Sequence, residues 1–205
     1  MRDLERLDLI IFDVPRLWSP DDNMNEEDIL NLIKADEWMM SILRTAEALQ
    51  LPDWVIGAGF VRNKVWDHLH GYTKSAVDTA DIDLVYFDPN GNDEKADETL
   101  SKKLLTETGL PWEVVNEVYA HIWNNLPPYR STKDALAQWP ETATGIGVRL
   151  ENGTLQLVAP YGIDDLVHLI VRPSPKFPDG ETRVAERARE KKWQEKWPKL
   201  CFLSA

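Results

Sequence analysis

The sequence predicts a fold of the α/β class, in its α+β form, with a short mixed sheet and flanking helices. Apolar residues at helical spacing intermix along the chain with short strand-like apolar runs, which argues against a helical bundle or a β-sandwich. An Asn-Gly pair at 152–153 lies between two apolar runs and predicts a β-hairpin. A Gly-x-Gly turn at 57–59 joins a strand-like run to a helix-like run. Hairpin and crossover connections together predict a mixed sheet.

The predicted elements begin with a helix over 25–49, whose apolar residues recur at helical spacing. Cap-like polar residues at its entry are either Asn25 with Asp28 or the stretch at 19–22. Strands are expected at 54–56, 81–87 and 112–115. Glycines and prolines separate the remaining elements, which are helices over 60–69, 94–107, 119–124, 132–139, 162–171 and 182–197 and strands over 146–150 and 155–158.

The length and composition predict one main domain. A chain of 205 residues that is 43% apolar can bury a sizeable core. We expect a domain over 1–175, with the N-terminal helix 25–49 and a core over 53–173, followed by a basic helical extension over 176–205. The single Cys201, the lack of a signal-peptide pattern and the lack of a run of roughly 18 apolar residues predict a cytoplasmic protein with no membrane partner.

The charge is acidic overall but uneven. A net charge of -12 argues against strong binding to duplex nucleic acid, which needs a basic surface. Residues 183–199 carry seven basic and three acidic side chains, a local charge of +4. This basic helix is either a solvated amphipathic surface or a contact for RNA or a nucleotide.

A carboxylate pair, Asp81 and Asp83, is the strongest chemical signal. Residues i and i+2 of a strand share a face, so the two like charges lie side by side and raise each other's pKa. Mg²⁺ would compensate them, since it prefers carboxylates together with substrate phosphates. Glu113, between Trp112 and Val114, is the candidate third carboxylate. The alternative for Asp81 and Asp83 is a solvated strand entry, and for Glu113 a surface-facing position on a half-buried strand.

The glycine turn is a candidate phosphate site. Gly57, Ala58 and Gly59 precede a helix, where backbone amides and the helix N-terminus favour an anion. Arg62 and Asn63, one turn into that helix, could donate to phosphate or sugar. The dinucleotide-binding motif requires a third glycine at the position of Arg62, so the sequence largely argues against a dinucleotide-binding fold. The alternative is an ordinary tight turn.

With these residues the chain resembles a bacterial nucleotidyltransferase family of the DNA polymerase β-like superfamily, a family of largely unassigned substrate. The resemblance spans about 54–173 and rests on GAGFVRN at 57–63, VWD at 65–67, DID at 81–83, YFD at 86–88, YRST at 129–132, WPETAT at 139–144, GVR at 147–149, AP at 159–160, Gly162, DDL at 164–166 and RP at 172–173.

The resemblance implies a polymerase-β-like fold and a metal-dependent transfer of a nucleotide from an NTP to an acceptor hydroxyl. It implies that Asp81, Asp83 and Glu113 form the catalytic and metal-binding triad for Mg²⁺ or Mn²⁺, and that the glycine turn holds the triphosphate. The acceptor is unidentified: a small molecule, a protein or an RNA end. Alternative functions are a catalytically inactive nucleotide-binding or interaction module and a toxin-like nucleotidyltransferase that acts on tRNA or protein.

Three further residues are candidates to contact phosphate or acceptor. His121 is one by resemblance, and Arg130 and Arg149 are candidates by charge. The alternative for the two arginines is a surface ion pair.

Overall fold

Five short strands form one mixed sheet in the computed structural model, which describes residues 24–73, 81–91 and 93–204. The strands are β1 (Val55–Ile56), β2 (Ile82–Tyr86), β3 (Trp112–Asn116), β4 (Gly147–Glu151) and β5 (Thr154–Val158). Their order is β3-β2-β1-β4-β5; β2 and β3 are parallel, whereas β1 is antiparallel to both β2 and β4. The predicted mixed sheet is confirmed.

The helices connect and flank these strands. They are α1 (Glu26–Lys34), α2 (Glu37–Ala48), α3 (Gly59–Leu69), α4 (Glu94–Thr108), α5 (Glu117–Ala120), α6 (Thr132–Leu136), α7 (Asp164–Val167), α8 (Gly180–Glu190) and α9 (Trp193–Lys196), with a 3-10 turn over His121–Asn124. A second, parallel sheet joins β6 (Ile170–Val171) to β7 (Cys201–Phe202). Within the described ranges, each helix is too short or too polar to cross a bilayer.

Alternation along β2 decides which face of the sheet is covered. Ile82, Leu84 and Tyr86 belong to the main hydrophobic core, together with residues of α1, α2 and α3. Val85 points to the opposite face and packs in a small cluster with Val55 and Leu136. Asp83 shares the face of Val85, so the less covered side of the sheet carries the carboxylate.

The single helix predicted over 25–49 is two helices. Of the two cap candidates, Asn25 and Asp28 start α1 and form a capping box, whereas 19–22 lies outside the described residues. Asp36 then caps α2, because its side chain accepts a hydrogen bond from the backbone N–H of Met39 at 3.1 Å. A second contact holds the break in place, since Lys64 of α3 donates to Asp36 at 2.5 Å. That partner lies 28 residues away, so helical periodicity alone could not show the break.

Two C-terminal predictions are also wrong in detail. The helix expected over 162–171 is only α7, because Leu169 has a φ of 57° and the chain then forms β6. The helix expected over 182–197 is α8 and α9, separated by Lys192 at a φ of 54°. The division into 1–175 and 176–205 stays a prediction, and its residues 1–23 lie outside the described part of the chain.

The hairpin prediction is confirmed. β4 and β5 pair antiparallel around Asn152 and Gly153, both of which have positive φ, as a tight hairpin turn requires. The predicted succession of strand, glycine turn and helix is β1 followed by α3. These elements deliver the candidate functional residues to one side of the sheet.

Candidate active site

Three carboxylates, two on neighbouring strands and one just before the first of them, line one cleft of about 650 Å³. Asp83 of β2 is directly opposite Glu113 of β3 in the parallel register. Asp81 lies one residue before β2, on the same face as Asp83. We call these three residues the carboxylate wall. Strand pairing therefore brings together the three carboxylates that the sequence singled out.

The electrostatics of Asp83 reflect this crowding. Burial, with the like charges of Glu113 and Asp81, raises the pKa of Asp83 to about 7, against the opposing effects of Arg62 and Lys191. Asp83 is half-buried, while Asp81 and Glu113 are exposed to the cleft. The site thus holds negative charge that nearby protein cations only partly offset.

The donor chemistry fits a divalent cation. Oxygen ligands from carboxylates are what Mg²⁺ and Mn²⁺ take, and Mg²⁺ usually completes its shell with water and substrate phosphate. Among the described residues, however, no three His, Cys, Asp or Glu side chains already form a metal-binding group. The carboxylate wall supplies the right ligands, and substrate would have to contribute the rest of the shell.

The glycine turn is joined directly to the carboxylate wall. The N–H of Gly57 donates to the carbonyl oxygen of Asp83 at 3.0 Å. A Cβ at Gly57 would lie 2.9 Å from the ring of Trp139, so this position has no room for a side chain. Gly59 begins α3 and, like Ala58, lines the cleft. The N–H of Phe60 already donates to the Gly57 carbonyl at 3.1 Å, so the amides left to an anion at the start of α3 are those of Gly59 and Val61.

Ala58 is a strained residue at this turn. Its φ is 52° and its ψ is -123°, a conformation that normally favours glycine. The neighbouring contacts fix it, since the N–H of Arg62 donates to the Ala58 carbonyl at 3.2 Å. The turn is therefore shaped by its surroundings rather than by the preference of its own residue.

Arg62 is buried at the cleft and held on all sides. Its Nη1 donates to Thr144 Oγ1 at 2.7 Å and its Nη2 to Asn63 Oδ1 at 3.0 Å. Its Cζ lies 5.1 Å from the ring centroid of Trp66 and 4.7 Å from that of Trp193. Arg62 is 4% exposed, and burial lowers its pKa to about 10. Asn63, also predicted to bind nucleotide, is buried beside it.

Four basic residues of the C-terminal helices also line the cleft, and we call them the cationic wall: Arg183, Arg187, Lys191 and Lys196. Arg187 anchors this wall, because its Nε donates to the fully buried Glu141 at 2.7 Å. Sequence reasoning did not assign these residues individually. The signal that could have found them is the local basic excess at 183–199.

Two tryptophans fix the cationic wall to α3. Trp193 and Trp197 pack edge-on against Trp66, with ring centroids 5.7 Å and 5.1 Å away. Trp197 Nε1 donates to Asp67 Oδ1 at 2.7 Å. The C-terminal helices are thus docked on the core and are not a separate solvated arm.

Trp139 forms another part of the cleft lining and is tied to a buried acid. Its side chain hydrogen-bonds Glu117, which is 3% exposed. Burial raises the pKa of Glu117 to about 7, and the hydrogen bond from Trp139 opposes that shift. Because Trp139 also contacts Gly57, Glu117 supports the ring against which the glycine turn rests.

Three candidate contact residues do not line the cleft. Arg130 is exposed and lies 3.6 Å from Asp134. Arg149 is paired with Asp53 at 3.5 Å and Glu151 at 3.7 Å. His121 packs its ring against Tyr129 at a centroid distance of 5.8 Å. The structure gives each of them a partner other than the carboxylate wall.

Comparisons with known proteins give the family. A family model described as Nucleotidyltransferase matches residues 44–202. A protein whose NMR structure is described as revealing a CCA-adding enzyme head domain is 34% identical, covers 88% of this chain and 97% of its own, and superposes with a TM-score of 0.78. A search of curated proteins finds no match.

Two larger enzymes match more distantly. A CCA-adding enzyme in complex with CTP is 16% identical over 82% of this chain and 47% of its own, with a TM-score of 0.47. A tRNA-processing enzyme is 18% identical over 76% of this chain and 48% of its own, with a TM-score of 0.40. Because the family model covers 44–202 of 205 residues, the chain belongs to this nucleotidyltransferase family.

Proposed function

We propose that this chain transfers a nucleotidyl group from an NTP to an acceptor hydroxyl, with Mg²⁺ or Mn²⁺ as cofactor. One observation carries the proposal: Asp83 and Glu113 are paired in register, with Asp81 beside them, in a cleft that also contains a glycine turn bonded to Asp83. Family membership supports the same reaction class.

The proposed reaction exchanges one P–O bond for another. The acceptor oxygen forms a bond to the α-phosphorus, the bond from that phosphorus to the bridging oxygen breaks, and pyrophosphate leaves. Asp81, Asp83 and Glu113 would hold the cation, which supplies charge neutralisation and lowers the pKa of the acceptor hydroxyl. Glu113, which is exposed in the cleft, is the carboxylate we assign to take the acceptor proton.

The glycine turn is the proposed cradle for the triphosphate. The N–H of Gly57 already donates to Asp83 and that of Phe60 to Gly57, so the amides of Gly59 and Val61 are the ones proposed to donate to phosphate oxygens. The ring of Trp139 leaves no room for a side chain at Gly57, which fixes the path of the turn. Positioning and charge neutralisation supply most of the rate in phosphoryl transfer.

A label-transfer assay tests this function. The full-length protein is incubated with each α-labelled NTP, Mg²⁺ or Mn²⁺, and acceptors from the three classes. The match to a CCA-adding enzyme head domain makes CTP and ATP the first donors and an RNA end the first acceptor to try. We expect transfer by the wild type and its loss in Asp81→Asn and Glu113→Gln. Glu107→Gln, an exposed acid of α4, is the matched control.

The second candidate function is nucleotide binding without transfer. It is favoured by one observation, that the described residues contain no group of three metal-binding side chains already in place. NTP binding by the wild type without transfer to any acceptor would support it. Label on tRNA or on a protein would support transfer, and loss of that molecule's function on labelling would favour the toxin-like alternative.

A further inference from the structure

Two lysines of the cationic wall, Lys191 and Lys196, make no ion pair with any described residue, and Lys191 is the one whose electrostatic interactions include Asp81 and Asp83. Arg183, Arg187 and Lys191 are spaced four residues apart, so they share one face of α8 and its C-cap. Arg183 is paired with Glu186 at 3.4 Å, and Arg187 with Glu141 at 2.7 Å. Lys191 makes no ion pair with any described residue and opens onto the cleft.

Lys191 is close enough to the carboxylate wall to interact with it. Partial burial, together with Arg187 and Arg62, lowers the pKa of Lys191 below its ordinary value, and the nearby charges of Asp83 and Asp81 oppose that shift. Its interactions therefore lie with Asp81, Asp83 and Arg62, which is the part of the cleft that also holds the glycine turn. Lys191 is therefore placed to interact with an anion bound at the glycine turn.

Arg62, the cation that the sequence suggested for phosphate binding, already donates its hydrogen bonds to protein groups. Two of its nitrogens donate to Thr144 and Asn63, and Trp66 and Trp193 stand near its planar group. Its Nε is buried without a hydrogen-bond partner among the described residues. Arg62 thus adds positive charge to the cleft and holds Trp193, but its buried side chain has little freedom to follow a substrate.

Docking of the C-terminal helices keeps Lys191 in place. The Arg187–Glu141 pair fixes α8 from one side of Lys191, and the packing of Trp193 on Trp66 fixes α9 from the other. Lys191 therefore extends from a segment anchored at both ends, four residues after one anchor and two before the other. A flexible ammonium on an anchored backbone suits a phosphate group, which lysine binds as a point charge.

We propose that Lys191 binds the polyphosphate of the nucleotide and neutralises the departing pyrophosphate, so that the C-terminal helices complete the nucleotide site. This rests on the proposed function, because it takes the ligand to be an NTP. It assigns a binding role to a segment that the sequence presented as an extension, and a positioning role to Arg62.

Binding of inorganic pyrophosphate and of NTPs by the full-length protein tests this assignment. Calorimetry with Mg²⁺ present compares the wild type with Lys191→Gln, Lys191→Arg and Lys192→Gln. Lys192 is the matched control, because it is the next residue, is exposed, and lies 3.9 Å from Glu195. We expect Lys191→Gln to weaken pyrophosphate binding about tenfold, Lys191→Arg to retain most of it, and Lys192→Gln to change it less than twofold.

The outcomes separate this proposal from the proposed function. Equal pyrophosphate and NTP affinity in the wild type and Lys191→Gln would overturn the role of Lys191 and leave nucleotidyl transfer standing. Equal weakening by Lys192→Gln would also overturn it, because a diffuse positive field would then explain the binding. A loss specific to Lys191→Gln in a protein that transfers no label would uphold the binding role while the transfer function fails. A wild type that binds neither pyrophosphate nor any NTP would contradict both.

Discussion

The two walls of the cleft are built in different ways. The carboxylate wall comes from residues within 33 positions of one another and needs only the pairing of β2 with β3. The cationic wall belongs to the segment 180–197, which contacts Glu141, Trp66 and Asp67. The partners in these contacts are up to 130 residues apart in the sequence. The first wall is a property of two strands, whereas the second exists only when the C-terminal helices dock on the core.

We expect the carboxylate wall to serve the reaction, and the anchors of the cationic wall to serve the stability of the fold. The carboxylate wall concentrates like charge, which costs stability and prepares the site for a cation. The cationic wall is held by a buried ion pair, packed tryptophans and a hydrogen bond from Trp197. We therefore expect changes in the first wall to affect activity most, and changes in the anchors of the second to affect stability.

The largest expected effect is on activity, from Asp83→Asn. Loss of this charge should reduce nucleotidyl transfer about a thousandfold, because metal-assisted charge stabilisation contributes several kcal/mol. Asp83 is surrounded by like charges, so thermal unfolding should show no loss of stability. Transfer rates and melting temperatures of the purified variant measure both. A variant that keeps wild-type activity would remove the carboxylate wall from the mechanism.

The next largest effect is on stability, from Arg187→Met. The substitution leaves Glu141, which is 0% exposed, without its counter-ion, and we expect a loss of about 3 kcal/mol in urea unfolding at pH 8. The double variant Arg187→Met, Glu141→Gln should recover much of it. Arg183→Met is the matched control, since its exposed pair with Glu186 contributes less than about 1 kcal/mol. Equal effects of the two single variants would contradict the anchoring role of Arg187.

Glu117→Gln tests a buried acid that supports the glycine turn. The folded pKa of about 7 lies above the ordinary value of 4.5, so the folded state binds more protons between these values. Its stabilising contribution is complete below pH 4.5 and is lost as the pH rises through 7. We expect Glu117→Gln to be more stable than the wild type by about 2 kcal/mol at pH 8 and equal to it near pH 4.

Unfolding curves of both proteins from pH 4 to pH 9 measure this difference. A constant offset between the two curves at every pH would mean that Glu117 does not titrate in this window.

The smallest expected effect comes from Ala58→Gly. Relief of the positive φ should exceed the entropy that glycine adds to the unfolded chain, which predicts a gain of about 1 kcal/mol. Ala35→Gly is the control, because Ala35 caps a helix with an ordinary φ of -75°, and it should be destabilised by about 0.5 to 1 kcal/mol. Loss of stability in both variants would show that the turn at Ala58 is not strained.

Local patterns predicted most of the elements that build the carboxylate wall. The hairpin at Asn152 and Gly153, the glycine turn before α3, and the strand bearing Asp83 follow from residue preference and spacing. The sequence predicted Glu113 as a third carboxylate on a neighbouring strand. The parallel register of β2 and β3 places it opposite Asp83. Their catalytic role stays a prediction.

Long-range contacts decided what the patterns missed. The break at Asp36 depends on Lys64, and the short α7 ends because β6 pairs with β7 at the far end of the chain. The expected phosphate contacts Arg130 and Arg149 met nearby acids instead. Periodicity records which face of an element is apolar, but it carries no information about which distant partner will cover it.

By itself, the sequence determined which residues are candidates for the chemistry: three carboxylates, a glycine turn and their order along an α/β chain. Only the tertiary structure decided that the basic C-terminal residues close the cleft, that Arg62 is committed to Thr144 and Asn63, and that Lys191 faces the carboxylates without an ion-pair partner of its own among the described residues. The physical reason is that side-chain identity is a local property, whereas charge pairing and burial depend on which segments pack together.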